Sequence, residues 1–99
     1  MSVGERVFAA CPVYHAGSDP KGIVTEGTVV AIGDRGETVV KTEHGIYTYG
    51  SPFSDSKVFL AEAEAWRYCG EVLRQRAEAV AVAAKDCLTR AGCLHATLA

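Results

Sequence analysis

The chain carries little excess charge of either sign. Its 99 residues hold 10 Lys and Arg against 12 Asp and Glu, a formal net charge of −2. So even a balance supplies no global positive field to attract nucleic acid, and the acidic excess is too slight for a DNA mimic. Long apolar runs are also missing, since nothing approaches the roughly 20 consecutive apolar residues that span a bilayer. The opening Met-Ser-Val-Gly-Glu-Arg lacks the basic and apolar regions of a signal peptide. These absences lead to the expectation of a cytoplasmic protein with no membrane partner.

No P-loop, dinucleotide fingerprint, nucleophile elbow or zincin motif occurs. No catalytic residue is therefore expected, and the chain reads as a non-enzyme. Cys11, Cys69, Cys87 and Cys93 form no Cys-x-x-Cys pair, and only His95 stands near the last two. Neither a structural metal site nor a cofactor is expected from that spacing. Cys11 lies in a strand pattern beside Pro12 and His15 opens a loop, so they read as a buried thiol and a loop imidazole. On a helix, Cys69 and Cys87 would stand roughly 27 Å apart, far beyond the reach of a disulfide. Reduced thiols follow, as in most cytosolic chains.

What is present is a globular composition, 48% hydrophobic and 22% charged, that can bury one modest core. The hydrophobic period changes near Leu60. Before it, short alternating segments are punctuated by glycine; after it, an alanine-rich pattern of helical spacing runs almost to the end. Strands are expected at Arg6–Val13, Ile23–Ile32, Thr38–Thr42, Gly45–Gly50 and Lys57–Phe59. Gly27 suggests a bend or bulge in the second. Gly33-Asp34-Arg35-Gly36 is a hairpin signal, and Tyr14 to Gly22, with Gly17, Ser18, Asp19 and Pro20, reads as a long surface loop. Five short strands in about 60 residues predict an α+β protein in which an SH3-like barrel spans 1–60. A helix over 61–92 and a tail over 93–99 complete it.

Within the helix, Trp66, Cys69, Leu73, Ala77, Val80, Ala84, Leu88 and Ala91 recur at three- and four-residue spacing as one stripe. Glu62 and Glu64 suit its positive end, Lys85 and Arg90 its negative end, and Gly92 suits the C′ position. Ala61 is a poor N-cap, so Ser56 or a backbone arrangement is expected to open the helix. Gly70 suggests the close approach of another backbone. A helix of roughly 45 Å is longer than a 60-residue barrel can cover. The expectation is a homodimer whose seam contains Leu73, Ala77, Val80 and Ala84. Partner recognition is placed on the barrel, at Asp34, Arg35, Tyr47 and Tyr49, because tyrosine and arginine are enriched at interface hot spots. The alternative is a nucleic-acid-binding barrel that uses Arg35, Lys41, Tyr47 and Tyr49.

Gly4-Glu5-Arg6-Val7, Gly27 to Ile32 and Val58-Phe59-Leu60-Ala61-Glu62-Ala63-Glu64-Ala65 resemble small phage- and mobile-element-encoded proteins. Those combine a short SH3-like barrel with a helix opened by a Phe-Leu-Thr-x-Glu-Glu-Ala type segment. The resemblance covers about two thirds of the chain, and departs at Ala61, where threonine would cap, and in the greater helix length. It implies a protein that binds and inhibits or modulates a macromolecular partner, with anti-CRISPR inhibitors as one class. Plasmid type II dihydrofolate reductases are similar small barrels, but their Val-Gln-Ile-Tyr strand has no counterpart in Gly45 to Gly50.

Overall fold

The structure, a computed structural model, describes residues 1–15, 17, 19–52 and 54–98, the last five by backbone alone. Its elements are β1 (Arg6–Val13), β2 (Lys21–Ile32), β3 (Thr38–Thr42), β4 (Gly45–Tyr49), β5 (Lys57–Phe59) and α1 (Glu62–Leu98). The strands form one antiparallel sheet in the order β4-β3-β2-β1-β5. β1 to β4 follow one another as a meander, and β5 returns to the free side of β1 by pairing Phe8 with Phe59 and Ala9 with Val58. The α+β class and all five expected strands are present. Ser18 of the predicted loop and the side chain of His95 lie outside the described residues.

The expected barrel is not closed: β4 and β5 stand at opposite edges of the sheet. The sheet curls instead. β2 pairs with β1 along Lys21–Thr28 and with β3 along Thr28–Ile32, so one long strand serves two neighbours that diverge. The ladder is irregular between Val29 and Ala31, and a bulge of this kind increases local twist. Gly27 sits where the strands crowd, since a Cβ there would lie 2.6 Å from the Lys41 carbonyl oxygen. The concave face collects one apolar residue from each strand. Val7, Val29 and Val40 are buried, and Tyr49 of β4 and Val58 of β5 pack against them. Between the two edges the contact is made by a hydroxyl, with Gly50 N–H donating to Ser56 Oγ at 3.2 Å and the Ser54 and Ser56 hydroxyls bonded at 2.8 Å.

The opposite face receives α1. Ala10, Ala65 and Cys69 are buried there, with Phe8, Val24, Phe59 and Tyr68 packed around them. Small side chains allow the close approach, and Gly22 sits directly under the helix: a Cβ on it would stand 2.8 Å from Cys69 Cβ. The backbone approach expected at Gly70 is therefore made at Gly22, while Gly70 faces open space. The first turn begins with a backbone bond from Ala65 N–H to the Ala61 carbonyl at 3.3 Å. Ser56, occupied by Gly50, does not cap it.

Gly92 does not end the helix. It lacks the positive φ of a C′ residue, and the segment expected as a tail continues helical to Leu98. One helical glycine costs about 1 kcal/mol relative to alanine, which the strong helix formers around it offset. At 37 residues α1 measures about 55 Å, and the chain extends over 67 × 26 × 20 Å. Its radius of gyration is 18.9 Å, against about 13 Å for a compact chain of this length. Among the described residues no helix is long and apolar enough to cross a membrane.

Candidate functional site

The expected recognition residues fall into two environments. Asp34 and Arg35 are exposed in the turn between β2 and β3. Thr38 pairs with Ile32 on one side and Tyr49 on the other, so the turn lies at the Tyr49 end of β4. Tyr47 and Tyr49 share the concave face, with ring centroids 6.4 Å apart and planes tilted by 51°. They are not equivalent. Tyr49 is half-buried against the core valines, and burial, helped by Cys11 and Tyr47, pushes its hydroxyl pKa up. Tyr47 is 46% exposed, with its hydroxyl donating to the His44 carbonyl at 3.1 Å. Of the pair, Tyr47 offers surface and Tyr49 closes the core.

Lys41 lies on the other face. Strand alternation buries Thr38, Val40 and Thr42 and leaves Lys41 exposed, in register with Thr28 of β2 and Ile46 of β4. Lys41 helps line an open groove with Arg6, Glu26, Thr28, Glu43 and His44. Arg6 is paired there with Glu26, and His44 Nε2 lies 3.2 Å from the Glu43 carboxylate. Of the residues expected for a nucleic-acid surface, Lys41 thus stands on the opposite face of the sheet from Tyr47 and Tyr49.

The thiols near the sheet are held in the protonated form. Burial raises the Cys11 pKa, and burial outweighs the Ile23 carbonyl contact in raising that of Cys69. A nucleophilic cysteine needs the opposite shift. Cys11, Cys69 and Cys87 are free thiols. No cluster of three or more His, Cys, Asp or Glu suited to a metal ion occurs among the described residues.

Of the four residues expected in a helix seam, Leu73 is half-buried beside the sheet, whereas Ala77, Val80 and Ala84 are exposed. Every residue from Arg74 to Cys93 is exposed, including Val80 at 49%, Val82 at 70% and Leu88 at 74%. Two charges of this segment are paired along the helix: Arg74 bonds Glu71 at 2.8 Å and Glu78 at 2.6 Å, and Arg90 bonds Asp86 at 2.9 Å. No residue pattern signals the clamp that orients the helix. Asp55 is ion-paired with Arg76, the Tyr68 hydroxyl donates to the Asp55 carbonyl at 2.5 Å, and Lys57 Nζ lies 5.2 Å above the Tyr68 ring. Asp55 sits in a polar linker with no periodicity, so only the fold brings it to the helix. No protein-family model, no curated protein and no solved structure matches this chain.

Proposed function

We propose that the chain is a non-enzymatic interaction protein that self-associates through the distal part of α1 and presents its sheet module to a protein partner. The carrying observation is the exposure of every residue from Arg74 to Cys93 in a helix whose near end is firmly packed. At about 100° per residue, Ala77, Val80, Ala84, Leu88 and Ala91 line one side of that segment. Glu71, Arg74, Glu78 and Lys85 cluster about 110° around the helix from it. An uncharged stripe rich in alanine lets a second helix approach closely over about 21 Å. The same stripe on a second copy is complementary by symmetry, which makes a homodimer its simplest occupant.

Light scattering tests this. The expected mass at micromolar concentration is about twice the 10.5 kDa of the chain. Val80→Glu or Ala84→Glu, by placing an unpaired charge in the seam, is expected to return the monomer. A monomeric unsubstituted protein overturns the dimer. Partner recognition is assigned to Asp34, Arg35 and Tyr47, the exposed members of the expected set. The inhibitory, anti-CRISPR-like form of this function is supported by the resemblance of the barrel and helix segments. It predicts protection of a phage or plasmid in an interference assay, weakened by Arg35→Glu together with Tyr47→Ala.

A further inference from the structure

The two edges of the sheet are treated differently. β5 is three residues long, begins with Lys57 and is covered by α1, which packs on β1, β2 and β5. β4 has none of the usual guards of an edge strand: Gly45-Ile46-Tyr47-Thr48-Tyr49 contains no charge and no proline. Its pairing with β3 is regular through all five residues, without a bulge. Alternate residues of an edge strand turn their N–H and C=O groups outward as a template for another strand. Side chains flank that template on both faces, Ile46 at 62% exposure on one and Tyr47 at 46% on the other.

We propose that β4 is a strand-acceptor site, taking an uncharged extended segment of a partner protein as a sixth strand. Main-chain hydrogen bonds would supply the affinity. Alternate apolar side chains of the incoming segment would meet Ile46 and Thr48 on one face and Tyr47 on the other. The choice of a different protein over a second copy rests on the helix-mediated dimer proposed above. Copies joined at both β4 and α1 would have two different two-fold contacts, which close only where their axes intersect at a suitable angle and otherwise run on into a filament.

The test is a titration of the isotope-labelled full chain with the capped peptide Lys-Thr-Val-Thr-Val-Thr-Lys, followed by amide shifts and amide exchange. The expected result is perturbation centred on β4 with slowed exchange at Ile46 and Thr48. Ile46→Lys, an edge charge at an exposed position, is expected to weaken binding about tenfold. Thr48→Pro is expected to remove it. Absence of any shift in β4, or equal binding by Ile46→Lys, overturns the proposal. A dimer mass lost in Ile46→Lys but kept in Val80→Glu also overturns it, by showing that a second copy fills the edge. A monomer that still binds the peptide at β4 supports the strand acceptor while refuting the helix dimer.

Discussion

The near and far segments of α1 belong to one continuous helix and have opposite fates. From Glu62 to Leu73 the helix is fixed by tertiary contacts: Ala65 and Cys69 are buried against Ala10, and Tyr68 and Phe59 stack at 5.4 Å between ring centroids. From Arg74 to Cys93 every residue is exposed, and beyond the ion pair of Arg76 with Asp55 the helix relies on alanine and on local pairs such as Arg74 with Glu78. Such pairs contribute only about 0.3–0.5 kcal/mol each, and most helical stability in proteins comes from packing of an amphipathic face. A helix can thus be continuous in geometry while half of it lacks the contacts that ordinarily hold helices. The lower the intrinsic support, the stronger the case that the distal half completes its packing against another chain.

The largest expected effect comes from placing a charge in each half. Ala65→Asp buries an unpaired carboxylate and is expected to cost about 3–5 kcal/mol, whereas Ala79→Asp, at an exposed position, should stay within about 0.5 kcal/mol. Urea unfolding of the two variants measures the difference, and equal losses would erase the distinction between the halves.

Glycine substitutions sharpen the same contrast at smaller scale. Gly22→Ala drives a methyl group into Cys69 and is expected to cost about 1–3 kcal/mol. Gly70→Ala meets open space on the helix and is expected to stabilise by about 1 kcal/mol. Thermal melts of both should move in opposite directions.

The smallest effect is chemical. Burial raises the Cys69 thiol, while Cys87 is exposed, so a disulfide reagent should modify Cys87 first and Cys69 only as the near half of α1 opens. Because the folded state holds Cys69 protonated, its contribution to stability is intact below the unfolded thiol pKa of about 8.5. It is lost as pH rises through the raised folded value. Alkaline unfolding should be correspondingly shallower in Cys69→Ala.

Much of the fold was legible because it is written in local periods. Arg6–Val13, Thr38–Thr42 and Lys57–Phe59 end where alternation and turn residues place them, and the helix follows from three- and four-residue spacing. Gly92 misled because a helix-ending glycine and a tolerated one look alike in sequence; the difference is a φ angle. Gly70 misled for a related reason, since which glycine meets a neighbour depends on how the helix lies across β2. For the candidate site, the turn residues Asp34 and Arg35 were readable as exposed, but alternation alone could not decide which tyrosine the curled sheet would cover.

The sequence by itself determined the strands, the turns, the helix and the even charge that deprives the surface of a single electrostatic purpose, because each depends on neighbours within a few positions. Only the tertiary structure decided that the sheet curls without closing, that Asp55 clamps α1, and that Lys41 turns away from Tyr47. It also decided that β4 is left as the uncovered edge. Those outcomes depend on the twist and register of strands far apart in the chain, where packing against distant partners overrides local preference.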